Sequence, residues 1–168
     1  DILNLAGADV LDVGSSTGGF VQILLQRGAK SVTALDVGSS QLSEILRRDP
    51  RVIVRENTDI REFASKKKFD LITCDVSFIS LKEILPSIDA LAGENCDIIM
   101  LFKPQFEVGR SAKRNKKGVV TDAKAVREAR AKFELAAANL GWIMRQTLEC
   151  EVKGKEGNAE FFYAFNKR

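Results

Sequence analysis

The stretch DVGSSTGGF, residues 12–20, follows a short apolar run and opens an apolar-periodic stretch. This order is typical of a strand, a glycine turn and a helix, with Val21, Leu24 and Leu25 on one helix face and Gly28 as the stop. The start of a helix presents unpaired N–H groups and a partial positive charge, and glycines let a ligand approach the backbone closely. We therefore predict that this turn holds a small anionic or carboxylate-bearing cofactor.

The spacing of the glycines, G-x-x-x-G-G, narrows the class of cofactor. It differs from the G-x-G-x-x-G of dinucleotide-binding proteins, and it lacks the lysine and hydroxyl that end a Walker loop. The spacing therefore disfavours an NAD-dependent oxidoreductase. A tight strand-to-helix turn without a ligand is the alternative interpretation of the same residues.

Apolar segments with strand character recur along the chain, and helical patterns lie between most of them. The segments are residues 10–13, 31–37, 51–56, 69–75, 96–102, 142–152 and 160–165. Those in the first two thirds are apolar on both faces, as expected where helices cover both sides of a parallel sheet. The last two are joined only by KGKEGNA, residues 153–159, which leaves no room for a crossover helix, so they must pair antiparallel. The prediction is one α/β domain over residues 1–168, doubly wound around a mostly parallel sheet.

The composition removes several classes of function. The chain has 168 residues, of which 45% are hydrophobic and 29% charged, with no histidine, so a Ser-His-Asp or Cys-His nucleophile system is excluded. The three cysteines stand singly, and neither a disulfide framework nor a metal site is predicted. No apolar run approaches the roughly 18 residues of a membrane helix, so we expect a cytoplasmic protein without a membrane partner. The chain begins at Asp1 and enters its first strand almost at once, which suggests a segment upstream.

Two aspartates follow predicted strands at positions that suit an adenosyl group. Asp36 closes the second strand 22 residues after Gly14, where a carboxylate meets ribose hydroxyls in nucleotide-binding α/β folds. Asp59 follows the third strand and is placed to accept a hydrogen bond from an adenine amino group. Either carboxylate alone could instead cap the next helix. Together they predict an adenosyl ligand along the carboxyl ends of the strands.

The order of several motifs resembles the FtsJ-like RNA ribose 2′-O-methyltransferases, most closely their haemolysin A (TlyA) branch. The motifs are DVGSSTGGFVQILL, TDI, DVSFISL, FKPQFE and KGKEGNAEFF. The resemblance implies a seven-stranded S-adenosylmethionine-dependent methyltransferase fold with an antiparallel last strand, acting on ribosomal RNA or a ribosomal subunit. It also implies an S4-type RNA-binding domain at the N-terminal side, of which these 168 residues contain no counterpart. The residues expected to bind S-adenosylmethionine are Gly14, Ser15, Thr17, Gly18, Gly19, Phe20, Asp36, Val37, Asp59, Ile60 and Asp75.

The same resemblance implies a catalytic Lys-Asp-Lys-Glu tetrad. Its last three members correspond to Asp75 in DVSFISL, Lys103 in FKPQFE and Glu160 in GNAEFF. The first lysine should precede the glycine turn, yet residues 1–29 contain no lysine. Either it lies upstream, or the chain is a catalytically degenerate RNA- or ribosome-binding module of the same fold. Whether Lys103 removes the hydroxyl proton or holds the hydroxyl oxygen is left open by the sequence.

A basic stretch follows the predicted catalytic lysine. From Lys103 to Lys117 there are six basic residues and one acid. Phosphate contacts at such a patch would give salt-dependent RNA binding. The residues predicted to bind RNA are Lys113, Arg114, Lys116 and Lys117. A solvated loop is the alternative.

Overall fold

The computed structural model of the protein describes residues 5–168, which contain seven strands and five helices. The strands are β1 (Asp9–Val13), β2 (Ser31–Leu35), β3 (Val52–Arg55), β4 (Phe69–Cys74), β5 (Ala92–Phe102), β6 (Trp142–Glu149) and β7 (Phe161–Lys167). The helices are α1 (Gly19–Gln26), α2 (Glu44–Arg47), α3 (Leu81–Leu91), α4 (Pro104–Glu107) and α5 (Ala123–Asn139).

The strands form one sheet in the order β3-β2-β1-β4-β5-β7-β6. The pairs among β1 to β5 are parallel, whereas β7 runs antiparallel to both of its neighbours, β5 and β6. The connection between β6 and β7 is too short for a crossover helix, so the chain has to return antiparallel. The predicted α/β fold, with a mostly parallel sheet and an antiparallel last strand, is confirmed.

Apolar side chains from both faces of the sheet form two hydrophobic clusters. On one face, the buried α1 residues Val21, Leu24 and Leu25 pack with strand residues such as Val10. On the other face, α3 and α5 cover a larger cluster that includes the fully buried Phe133. Full burial of such a side chain is worth about 1.5–3 kcal/mol. Strands buried on both faces explain the lack of polar alternation in the first segments of the sequence.

The order of the strands indicates which edge of the sheet holds the functional site. The chain winds from β1 toward β3 on one side and then returns to β4 on the other side of β1. Loops that leave the carboxyl ends of β1 and β4 therefore diverge and leave a crevice, which is where ligands bind in open α/β sheets. The glycine turn follows β1, and Asp75 follows β4.

Within residues 5–168, no helix combines the length and the apolar composition that crossing a bilayer requires.

Candidate active site

Two cavities open at the carboxyl ends of the strands, and the turn after β1 separates them. The first has a volume of about 560 Å³, and the second has a volume of about 400 Å³. Both are lined by Gly14, Ser16 and Asp75. Of the residues predicted to bind the cofactor, the first cavity is lined by Gly14, Asp36, Val37, Asp59, Ile60 and Asp75. The second is lined by Gly14, Ser15, Thr17, Gly19, Phe20 and Asp75.

The glycines of the turn serve different purposes. Gly14 has a φ of 79°, and a Cβ there would collide with the backbone carbonyl oxygen of Asp75. Gly18 has a φ of 104° and lines neither cavity, because it faces the side chains of Leu42 and Leu46. Gly19, the first residue of α1, has open space where a Cβ would stand. Only Gly19 therefore leaves free room beside the backbone, while Gly14 and Gly18 are required by packing and backbone conformation.

Asp36 connects the glycine turn to the loop after β2. Its Oδ2 accepts a hydrogen bond from the Ser16 N–H at 2.8 Å, and its Oδ1 accepts one from the Gly38 N–H at 2.8 Å. Each carboxylate oxygen has a second lone pair, so both can still accept from a ligand hydroxyl. The carboxylate is thereby held in place at the rim of the first cavity.

Asp59 is engaged by a neighbour that the sequence analysis did not single out. The Arg61 guanidinium donates to both of its carboxylate oxygens, with Nη2 at 2.6 Å from Oδ2, and the Arg61 N–H donates to Oδ1 at 2.8 Å. These bonds to Arg61 hold the pKa of Asp59 below its usual range. Both residues line the first cavity, so Asp59 offers an ionised acceptor there.

Asp75, which lines both cavities, is paired with Lys103, which lines neither. The Lys103 Nζ lies 2.5 Å from Asp75 Oδ1 and donates to the Ser77 hydroxyl oxygen at 3.2 Å. The side chain of Lys103 is only 13% exposed, whereas that of Asp75 is 34% exposed. Asp75 does not cap the following helix, because α3 begins at Leu81 and its cap is Ser80. The two charged groups are instead paired with each other.

Glu160 reaches this region through a glutamine. It lies directly before β7, and its Oε1 accepts a hydrogen bond from Gln105 Nε2 at 3.2 Å. Gln105 is two residues after Lys103. Because β5 ends directly before Lys103 and β7 begins directly after Glu160, Lys103 and Glu160 lie at the same edge of the sheet. The pKa of Cys150 is raised, first by burial and then by the charges of Glu160 and Asp75.

The basic stretch after Lys103 begins with a short helix and continues as a hydrogen-bonded loop. Its first residues form α4, and a turn follows in which the Asn115 side chain accepts from the Lys117 and Val119 N–H groups. Lys113, Lys116 and Lys117 are exposed.

Arg114 differs from the three lysines of this stretch. Its guanidinium donates to the carbonyl oxygens of Gln105 and Gly109, each at 3.1 Å. The structure thus gives Arg114 a role inside the loop, whereas the three lysines are exposed.

Asp12 is a buried acid that lines neither cavity, and from the sequence it was predicted only as part of a strand. It lies in β1 and is fully buried; its Oδ1 accepts from the Thr73 hydroxyl at 2.6 Å, while its Oδ2 has no partner among residues 5–168. Burial, together with the charges of Asp75 and Asp36, raises its pKa to about 7. A carboxylate inside an otherwise apolar VLDV segment was the available signal.

Phe78 is a second residue that sequence reasoning missed. It has a φ of 66°, in the left-handed region that side chains other than glycine rarely adopt, and it is 90% exposed. It lines the first cavity three residues after Asp75. Within DVSFISL, the phenylalanine stands beside an isoleucine, and such a pair is typical of the core. No local pattern therefore indicated that its side chain would be exposed.

This sheet order and crevice define the S-adenosylmethionine-dependent methyltransferase class. The crystal structure of such an enzyme from Mesorhizobium loti matches with a TM-score of 0.72, covering 98% of this chain and 93% of that chain at 11% identity. At that identity the likeness concerns the fold alone. S-adenosylmethionine is the methyl donor of the class, in agreement with the cofactor predicted from the sequence.

Comparison at the level of sequence defines the family within this class. The family model described as FtsJ-like methyltransferase matches residues 1–167, and the chain belongs to that family. The 23S rRNA (cytidine-2′-O)-methyltransferase TlyA of Campylobacter jejuni is 58% identical over 157 residues, covering 94% of this chain and 61% of that protein. The crystal structure of a hemolysin-named protein from Lactococcus lactis matches with a TM-score of 0.92 at 38% identity, covering 99% of this chain and 81% of that one. The chain thus spans about three fifths of the length of the Campylobacter relative.

Proposed function

We propose that this chain transfers the methyl group of S-adenosylmethionine to a ribose 2′-hydroxyl of ribosomal RNA. The observation that carries the proposal is the ion pair of Lys103 with Asp75, because Asp75 lines both cavities. The family and the name of the Campylobacter relative support the substrate class. Because ribosomal RNA lies in the cytoplasm of bacteria, we expect the protein to act there.

The described residues fit S-adenosylmethionine in three ways. Asp36 offers carboxylate oxygens for ribose hydroxyls at the rim of the larger cavity. Within residues 5–168 no side chain caps the start of α1, so its N–H groups are available to an amino-acid carboxylate in the second cavity. Asp75 lines both cavities and would therefore lie beside a cofactor that occupied them. When bound, the cofactor supplies an electrophilic methyl group whose transfer leaves S-adenosylhomocysteine and releases the hydroxyl proton.

The protein's own task is to bring a poor nucleophile into line and to stabilise its charge. Lys103, paired with Asp75, is an ammonium that can donate a hydrogen bond to the ribose oxygen but cannot accept one. We infer that it holds the hydroxyl oxygen, which is the second of the two roles the sequence left open. Correct orientation of this kind is worth several kcal/mol of the barrier, of the order of 7–11 kcal/mol in the best cases.

Two surface features suit RNA as the substrate. The exposed ring of Phe78 stands at the mouth of the larger cavity, where an unstacked base could lie against it. The exposed side chains of Lys113, Lys116 and Lys117 are available to phosphates. We call the segment that carries these three lysines the basic loop. Arg114 is excluded from that set because its guanidinium is used within the loop.

The test is methyl transfer from labelled S-adenosylmethionine to ribosomal RNA, with the product nucleotide analysed by mass spectrometry. Lys103→Ala should abolish transfer and leave cofactor affinity, measured by calorimetry, within a few fold. Lys124→Ala, an exposed lysine on α5, is the matched control and should behave as the wild type. Normal turnover by Lys103→Ala would refute the role of Lys103. Cofactor binding by the wild-type protein without any transfer would favour the degenerate RNA-binding module.

A further inference from the structure

Glu107 forms a contact that none of the assigned roles uses. Its carboxylate is half-buried in the last position of α4. Oε2 accepts from the Ser80 hydroxyl at 2.7 Å, and Oε1 accepts from the Leu81 N–H at 2.7 Å. Ser80 is the cap of α3 and Leu81 its first residue. A carboxylate is favoured at this end of a helix, because the first-turn N–H groups are unpaired and the helix dipole is positive there.

This contact is one of three that join two segments of the chain. The first segment, residues 75–80, is the loop that connects β4 to α3, and the second, residues 103–107, consists of Lys103 and helix α4. The three contacts are those of Lys103 with Asp75 and Ser77, of the Phe106 ring with the Phe78 ring at 5.0 Å between centroids, and of Glu107 with Ser80 and Leu81.

The loop 75–80 needs such support. Phe78 has a φ of 66°, and a residue other than glycine keeps that conformation only where its surroundings impose it. The loop begins at Asp75 and ends at the capped start of α3. Fixing the start of α3 therefore restricts where Asp75 can lie relative to Lys103.

We propose that Glu107 is a positioning residue for methyl transfer: by holding Ser80 and Leu81 against the segment 103–107, it sets the geometry of the Asp75–Lys103 pair. It does not touch the substrate, and its effect passes through the loop 75–80. This inference rests on the proposed function. A displacement of about 1 Å at a reacting group can cost on the order of a hundredfold in rate.

The test compares Glu107→Ala with Glu107→Gln in the protein as its gene encodes it. Alanine removes both contacts, and we expect kcat for methyl transfer to fall about ten- to a hundredfold while the KM for S-adenosylmethionine changes by less than about threefold. Glutamine can accept from the Leu81 N–H and donate to the Ser80 hydroxyl, so it should restore most of kcat. Glu128→Ala removes an exposed glutamate of α5 as the matched control and should leave kcat unchanged.

Hydrogen exchange of the same variants gives a readout that does not depend on turnover. Amides in residues 75–81 should exchange faster in Glu107→Ala than in the wild type, while those of β1 and β2 remain equally protected. Unchanged exchange in residues 75–81, or wild-type kcat in Glu107→Ala, would overturn the inference. A fall in kcat that matches the fall in folded protein would overturn it as well. Failure of the wild type itself to transfer a methyl group would refute the proposed function, and the exchange comparison would still decide the role of Glu107.

Discussion

Replacing Asp12 by asparagine should remove a large part of the pH dependence of stability. In the folded protein its pKa is raised from 3.8 to about 7, chiefly by burial and then by the charges of Asp75 and Asp36. The folded state therefore binds this proton more tightly than the unfolded state does. The resulting stabilisation is fully present below the unfolded pKa and is lost as the pH rises through the folded pKa.

The size of the effect follows from those two pKa values. Each unit of difference corresponds to about 1.4 kcal/mol, so the wild type should lose about 2.5 kcal/mol of its free energy of unfolding between about pH 5 and pH 8 through this residue. The asparagine side chain would be neutral throughout that range. Its amide oxygen can keep the hydrogen bond from the Thr73 hydroxyl, and its amide nitrogen takes the place of the unpartnered Oδ2.

Urea unfolding of both proteins at several pH values between about 5 and 8 measures this difference. Asp59 and Asp122 have lowered pKa values, so they lose their contributions only at more acidic pH. The raised pKa of Glu107 acts equally in both proteins and cancels. Glu128→Gln, an exposed glutamate, is the control for loss of a carboxylate. An Asp12→Asn protein whose stability falls with pH as steeply as that of the wild type would refute the reasoning.

Three further predictions concern the turn, the basic loop and the core. Gly14→Ala should destabilise the fold by about 1–3 kcal/mol and weaken cofactor binding, because its Cβ would strike the Asp75 carbonyl and its φ is 79°; urea unfolding and calorimetry measure the two effects. Changing the lysines of the basic loop to glutamate should weaken RNA binding and flatten its dependence on salt in filter-binding titrations. Unchanged RNA binding would support the alternative of a solvated loop. Phe133→Ala should cost about 3–5 kcal/mol of unfolding free energy because the ring is fully buried, whereas Leu135→Ala on the exposed side of the same helix should cost less than about 0.5 kcal/mol.

Local sequence patterns determined the class of fold and predicted the glycine turn and Asp36 as parts of the site. Apolar runs separated by helical periods required a parallel sheet, and the short connection before Phe161 required an antiparallel last strand. The glycine turn and Asp36 follow their strands directly, so the carboxyl edge of the sheet brings them to the same crevice. Such features are readable because each depends on neighbouring residues and on the direction of a strand. The resemblance to the FtsJ-like family, rather than a local pattern, predicted Asp75 and Lys103, and the Lys103 Nζ lies 2.5 Å from Asp75 Oδ1.

Contacts between polar groups far apart in the chain were decided only by the tertiary structure. Glu107 meets the start of α3 across 26 residues of sequence, and Arg114 turns toward backbone carbonyls rather than solvent. The full burial of Asp12 depends on what covers β1, and the exposure of Phe78 on how the loop after β4 closes. Periodicity records which face of an element is apolar, but it contains no information on which distant donor an acceptor will find. That choice is made when the loops at one edge of the sheet pack against each other, because most buried polar groups have to find a hydrogen-bond partner there.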